Sequence, residues 1–402
     1  MVTASLSRMK ICDVTQFYSP RSGGVKRYLH EKIAFIQTHS ADDEHVLVVP
    51  GRRSGVISTG RSRIYTIASP LVSRMTQYRV LVNLRAIDEI IEREKPDLME
   101  SADPYQLGWK VAAAADANRI PAVAYYHSHF PEAYLRAPVE QFGRLATAAM
   151  MRVARSYIRK LYNRYAATFI PSVELKELLG GWGVRNVRIV ELGVDTEVFT
   201  PAPNDTDITR AAHGLPADRI LLLYVGRLAP EKNTDTLLHA FSSLAQRRPN
   251  SYHLLVIGDG QQREQLRRAQ AATGAITWLP YCAEPRELAQ LYRAADLFVH
   301  PGTQETFGLV ALESQACGTP VVGIRGSAMD RIILHDQSAW AQQNTPAALA
   351  DAIEQASGAD LRQIGEAAAQ AVAERFAWRR VFERLFGIYH EVCADYRKAT
   401  AG

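Results

Sequence analysis

Two glutamates, Glu305 and Glu313, share one short stretch, "HPGTQETFGLVALESQACGTPVVG" (residues 300–323). The first falls in a polar loop. The second falls inside an apolar, helix-like run, where a carboxylate is costly to bury without a partner. The preceding "DLFVHP" has the character of a strand, "GTQET" of a loop, "FGLVALESQACG" of a helix closed by Gly318, and "PVVGI" of the next strand. That βαβ order puts Glu305 at the carboxyl end of a strand. It also sets Phe307, Gly308 and Leu309 at the opening of a helix, whose first backbone N–H groups suit an anionic or hydroxylated ligand. Glu313, about two turns on, is expected to project from the same helix toward that ligand. Carboxylates accept hydrogen bonds from vicinal hydroxyls. Two of them along a helix that receives phosphates point to a nucleotide sugar, a diphosphate with a sugar at each end. Taken singly, each acid reads equally well as a loop acid or a solvated helix residue.

Four further clusters bear on that chemistry. In "YVGRLAPEKN" a strand ends at Gly226, and Arg227 and Lys232 bracket a turn that Pro230 helps to fix. A guanidinium fork and an ammonium point charge together can neutralise a diphosphate leaving group without a divalent ion; read alone, they are also ordinary solvated cations. In "SPRSGGVKRYL", Gly23 and Gly24 open a helix after the first strand, where a backbone without Cβ can approach a phosphate or simply turn. Neither this run nor "GDGQQR" completes the dinucleotide fingerprint, since Arg263 stands where the latter would need its last glycine. In "AYYHSHFPEAYL", His127 and His129 close a strand, as hydrogen-bond partners for a sugar or as structural residues. Finally, "MMRVARSYIRKLYNRYAA" is amphipathic, with Ile158, Leu161, Tyr162 and Tyr165 on one face and Arg152, Arg155, Arg159 and Asn163 on another. Such a basic face either lies on anionic lipid or is merely solvated.

The elements that position these residues follow from the whole chain. Its 402 residues exceed one average core and imply two domains. Apolar runs such as "HVLVVP", "AVAYYH", "ATFIPS" and "VRIVEL", then "ILLLYVG", "HLLVIG", "DLFVHP" and "PVVGI", alternate with helix-period segments, the pattern of parallel sheets. Each half is expected to be a doubly wound α/β layer structure. "GVDTEVFTPAPNDTD" places the linker at 199–207, which gives domains over 1–200 and 207–377, facing each other across a cleft. The last helix, within 378–402, carries Val381, Leu385, Ile388, Tyr389 and Val392 on one face and must pack on something.

With 47% apolar and 22% charged residues the composition is that of a soluble globular protein, and no apolar run approaches the ~20 residues of a membrane span. No cleaved leader is expected, so the chain is placed in the cytoplasm or at the inner face of a membrane. A net charge of +5 does not announce nucleic acid as partner. Cys12, Cys282, Cys317 and Cys393 lie far apart without zinc-ligand spacing and read as reduced thiols.

In their order, "SPRSGGVKRYL", "YYHSHF", "PSVELKELL", "GVRNVRIVELGVDTEVFTP", "VGRLAPEKN", "VIGDG" and the 300–323 stretch resemble the retaining glycosyltransferases of family 4, over nearly the whole chain. The resemblance implies the GT-B architecture of two Rossmann-like domains, with the final helix crossing back to the first. It implies a donor sugar held by Glu305, with His127 beside it, a ribose held by Glu313, and a diphosphate held by Arg227 and Lys232, with Gly24 allowing close approach. The backbone at Phe307, Gly308 and Leu309 would line sugar and phosphates, and residues 280–282 would wall the base. No metal or other cofactor is expected. The N-terminal motifs look most like those of bacterial α-mannosyltransferases and related glycolipid synthases. The implied activity is transfer of a hexose, mannose from GDP-mannose or glucose from a UDP donor, to a hydroxyl acceptor such as a lipid or glycan. A nucleotide-sugar 2-epimerase and a non-catalytic nucleotide-sugar binder stand as the competing readings.

Overall fold

The computed structural model describes residues 8–19, 24–40, 42–72, 77–127, 143–202, 206–282, 284–303, 305, 307–326 and 328–401. The chain divides into two compact units, Met1–Glu191 together with Val381–Gly402, and Leu192–Arg380. The boundary therefore falls earlier than the expected linker at 199–207. The segment after Glu191 is already packed into the second unit: Phe199 is buried edge-on to Tyr292, with ring centroids 6.0 Å apart.

Among the described residues the first unit holds an eight-stranded sheet. Its strands are β1 (Lys10–Val14), β2 (Glu44–Gly51), β3 (Gly55–Thr59), β4 (Ser62–Ala68), β5 (Leu98–Ser101), β6 (Ala122–Tyr125), β7 (Ala167–Ile170) and β8 (Val187–Ile189). They lie in the order β3-β4-β2-β1-β5-β6-β7-β8, parallel except for the β3–β4 pair. Helices cover parallel strands on both faces, so inner strands are apolar on both sides and stand out in the sequence as unbroken runs. The second unit has five parallel strands among its described residues, in the order β11-β10-β9-β12-β13. These are β9 (Ile220–Val225), β10 (Tyr252–Ile257), β11 (Ile276–Leu279), β12 (Leu297–His300) and β13 (Val321–Gly323).

The helix Trp378–Ala401 belongs to the first unit from Val381 onward. It buries Val381, Phe382, Leu385, Phe386, Tyr389 and Val392. Phe35, on the helix Gly24–His39, meets Phe382 and Phe386 at centroid distances of 5.5 and 5.2 Å.

Beneath that packing lies a buried charged cluster. The β1–β5 register sets Asp13 beside Glu100, and Lys32 from the helix above reaches both. Lys32 Nζ is 3.0 Å from Asp13 Oδ1 and 3.1 Å from Glu100 Oε1, and donates to the Tyr389 hydroxyl at 2.9 Å. Tyr28 and Tyr389 donate to Glu100, and His45 pairs with Asp13. Burial pushes the Glu100 carboxyl up to about 7, against the pull of Lys32 and with the help of Asp13. Burial would do the same to Asp13, but Lys32 and His45 outweigh it and hold it at about 2.

A raised folded-state value means that the fold favours neutral Glu100. Its contribution is complete below the ordinary value of 4.5 and is lost as pH rises through about 7. Glu100→Gln removes that loss, so thermal denaturation should show the variant gaining on the wild type by on the order of 1–3 kcal/mol between pH 5 and 8. A pH-independent difference would refute the assignment.

The helix Arg144–Tyr162 buries Met151, Ala154, Ile158, Leu161 and Tyr162 and exposes Arg152, Arg155, Arg159 and Lys160. Leu145 and Val153 are exposed too, at 89% and 65%. Cys12, Cys317 and Cys393 are buried, Cys282 is half-buried, and all four are free thiols. Among the described residues no helix is long and apolar enough to cross a membrane.

Candidate active site

The second sheet gathers three loops at its carboxyl edge. After β9 the chain passes Gly226, makes the turn Pro230–Lys232 and enters the helix Thr234–Arg247 through Asn233, whose φ of 56° is left-handed. After β10 comes "GDG". A Cβ on Gly258 would lie 1.9 Å from the Gly226 carbonyl oxygen, and one on Gly260 would lie 2.3 Å from that of Leu228. The backbone there is zipped by Gly226 N–H to Ile257 O at 2.9 Å, Leu228 N–H to Asp259 O at 3.1 Å and Gln262 N–H to Leu228 O at 3.0 Å. These glycines serve the approach of one loop to another. Asn233 fastens the third loop by donating to Pro301 O at 2.8 Å and to Asn344 Oδ1 at 2.7 Å.

This scaffold brings Lys232 and Glu305 together across 73 residues of sequence. Lys232 Nζ donates to Glu305 Oε1, and Nε2 of His300, the last residue of β12, lies 3.6 Å from the same oxygen. Burial would raise the Glu305 carboxyl; His300 and Lys232 overcome it and hold the acid well below the usual carboxylate range. Glu305 is therefore an ionised acceptor at a strand's carboxyl end. Arg227 does not join the cluster. Its side chain is 69% exposed and pairs with Glu231 at 2.9 Å, while its carbonyl accepts from the Tyr224 hydroxyl at 2.9 Å.

The helix after Glu305 starts at Leu309 and ends at Ala316, with Gly318 just beyond at φ 82°. Phe307 is buried edge-on to Phe376, at 6.1 Å. Glu313, expected to reach a ligand, is interior in this structure: it is 3% exposed, and its Oε2 accepts from the Tyr292 hydroxyl at 3.1 Å. Tyr281, beyond the end of edge strand β11, is 78% exposed.

Gly308 holds the helix entrance at φ 92°, and a Cβ there would sit 2.0 Å from the Met329 sulfur. Gly308→Ala should destabilise the second unit by about 1–3 kcal/mol from the backbone alone, plus the cost of moving Met329. Chemical denaturation reads the loss, and an unchanged midpoint would contradict it.

In the first unit, Gly24 begins its helix on the surface, and the Gly23 and His129 assignments lie outside the described residues. His127 follows β6, stacked on Tyr125 at 4.0 Å and edge-on to Tyr28 at 5.4 Å. Burial, aided by Lys32, pushes its pKa down to about 3, so the ring is neutral near pH 7. Its Nε2 is buried with no hydrogen-bond partner among the described residues.

A family model described as glycosyl transferases group 1 matches residues 205–370, and one described as Glycosyltransferase Family 4 matches residues 22–198. The GDP-mannose-dependent alpha-(1-6)-phosphatidylinositol dimannoside mannosyltransferase of Mycobacterium tuberculosis is 30% identical over 380 residues, covering 92% of this chain and 93% of that one. The chain belongs to glycosyltransferase family 4.

A GDP-mannose-dependent alpha-mannosyltransferase of Corynebacterium glutamicum is 28% identical over 337 residues, 81% of this chain and 74% of that one. Sucrose-phosphate synthase from Thermosynechococcus elongatus, 21% identical, superposes with a TM-score of 0.74 over 96% of this chain and 100% of its own. The fold is GT-B, and the protein is a glycosyltransferase that resembles bacterial mannosyltransferases. Within this family-4 chain, sequence reasoning passed over His300 and Asn233. His300 ends a readable strand two residues before Gly302, and Asn233 is an asparagine at a turn exit, so each carried a local signal.

Proposed function

We propose that this glycosyltransferase moves a hexose, preferentially mannose from GDP-mannose, to a hydroxyl of a glycolipid acceptor, with retention at the anomeric carbon and without a metal ion. The observation that carries this reading is the cluster of Lys232, Glu305 and His300 at the carboxyl edge of the second sheet. The donor's diphosphate takes Lys232 from Glu305 and Arg227 from Glu231. Glu305, once released, accepts from the hexose hydroxyls. The bond from the anomeric carbon to phosphate breaks, that to the acceptor oxygen forms on the same face, and the departing phosphate takes the acceptor's proton. The two cations stabilise the charge that develops on the leaving group, where such contacts contribute most. The backbone of Phe307, Gly308 and Leu309 supports sugar and phosphates, Glu313 the ribose edge from within, Tyr281 the base, and Gly24 close approach to phosphate. His127, neutral, serves as hydrogen-bond partner for a sugar hydroxyl.

The preference for GDP-mannose is supported by the two relatives named for that donor, and the glycolipid acceptor by the name of the mycobacterial one. The exposed arginines and apolar residues of the helix Arg144–Tyr162 support docking on an anionic lipid surface.

A thermal-shift series with GDP-mannose, UDP-glucose, GDP and UDP should give the largest rise in melting temperature with GDP-mannose, undiminished by a chelator. No shift with any of the four, or a shift abolished by the chelator, would sink the reading. Co-sedimentation with liposomes should increase with the fraction of anionic lipid; indifference to it would remove the lipid surface.

A further inference from the structure

The sheet of the first unit reverses direction between β1 and β5: β2, β4 and β3 extend on one side, β6, β7 and β8 on the other. In open α/β sheets such a reversal opens a crevice at the carboxyl ends of the strands. The residues just past those two ends are Gln16 and Asp103, which are 9% and 2% exposed. Among the described residues, Gln16 Oε1 and Asp103 Oδ2 are buried without a hydrogen-bond partner. Orphaned buried acceptors are rare and call for an explanation.

The loop that carries Asp103 is firmly held. Asp103 Oδ1 accepts from the Tyr105 N–H at 2.9 Å, and the Asp103 N–H donates to Ser101 Oγ at 3.3 Å. A Cβ on Gly108 would meet the Asp103 carbonyl oxygen at 2.3 Å, so the next helix packs directly on this loop. Burial pushes the Asp103 carboxyl up to about 6 against the pull of the Tyr105 N–H and of Gln16, which leaves it ionised near pH 7. Beside these polar groups stand aromatic rings. Phe17 lies 6.1 Å from Tyr105 and 6.3 Å from Tyr78, and Tyr105 is 39% exposed.

A sugar or cyclitol ring presents an apolar C–H face and a rim of hydroxyl donors. Aromatic faces match the first, and the remaining acceptor atoms, Asp103 Oδ2 and Gln16 Oε1, match the second. A phosphate would be repelled by the Asp103 carboxylate, so the ring is uncharged where it meets this residue. We propose that Asp103 and Gln16, walled by Phe17, Tyr78 and Tyr105, form a subsite for a neutral sugar or cyclitol ring of the acceptor. This rests on the hexosyl-transfer reading and adds the acceptor's chemical class.

The probes are methyl α-D-mannopyranoside and myo-inositol, titrated into the intact protein by ligand-observed NMR, with GDP and UDP titrated in parallel. The wild type binds at least one of the polyols. Tyr105→Ala and Asp103→Ala each weaken that binding about tenfold or more, while nucleotide affinity stays within about twofold, since neither residue is among those proposed to hold the donor. No polyol binding by the wild type, or unchanged binding in a folded Tyr105→Ala protein, overturns the subsite. Tyr105 is exposed, so its variant decides the matter if Asp103→Ala fails to fold. Polyol binding without any nucleotide binding would uphold the subsite and overturn hexosyl transfer instead.

Discussion

Replacing Lys232 with alanine is expected to lower turnover by about 10²–10³-fold at saturating donor, the scale seen when one preorganised group is removed from a developing charge. Lys232 occupies two states in the proposed reaction. Before the donor arrives its ammonium rests on Glu305; afterwards it neutralises phosphate oxygens whose charge grows as the glycosidic bond breaks. An interaction that strengthens toward the transition state appears in kcat, not only in KM. The same substitution leaves Glu305 with His300 as its neighbour and deprives a half-buried carboxylate of its cation, so the acid proposed to hold the sugar is disturbed as well. Lys232→Ala and Glu305→Ala should therefore be strongly non-additive, the double variant about as slow as the worse single one. Steady-state kinetics with GDP-mannose and the accepted acceptor read both effects. A Lys232→Ala enzyme within about threefold of wild-type kcat would remove Lys232 from the charge-stabilising role.

Much of this layout was legible because parallel sheets force it. The strands "ILLLYVG", "HLLVIG" and "DLFVHP" stand out as unbroken apolar runs, and the loops after them are where chemistry collects in an open α/β sheet. Other features depended on partners too distant in sequence to see. Glu313 is readable as a helix residue, but its burial is set by Tyr292, 21 residues earlier on a different helix. The composition of 199–207 announces a linker, yet Phe199 is pinned on that same tyrosine, which moves the boundary back to Glu191. The glycines of "GDG" do not complete a dinucleotide fingerprint, and what requires them, close contact with the Gly226 and Leu228 carbonyls, lies some thirty residues away in sequence. Asp103 and Gln16 gave no local signal, since only the strand order makes them neighbours of a crevice.

Lys32→Met is expected to destabilise the first unit by about 3–5 kcal/mol, the cost of stripping the cation from a buried charged cluster. The register of β1 and β5 sets Asp13 and Glu100 side by side, and Lys32 stands between them at 3.0 and 3.1 Å. Methionine fills similar space but supplies no charge, so two carboxyl groups remain in the interior with His45 and the tyrosine hydroxyls. For a unit of this size the loss corresponds to roughly 10 °C in its melting transition, resolvable by calorimetry. The effect carries a sign in pH. Lys32 holds the Glu100 value down against burial, so without it neutral Glu100 is favoured to still higher pH. Stability is then lost more steeply as pH rises, and the deficit of Lys32→Met should be larger at pH 8 than at pH 5. Adding Glu100→Gln should recover part of it at pH 8, because a neutral amide no longer opposes Asp13. The C-terminal helix is bound to the same group through Tyr389, so proteolysis at that helix should accelerate in Lys32→Met. A variant as stable as the wild type at pH 8, with its last helix equally protected, would show that the cluster neither ties down that helix nor stabilises the unit.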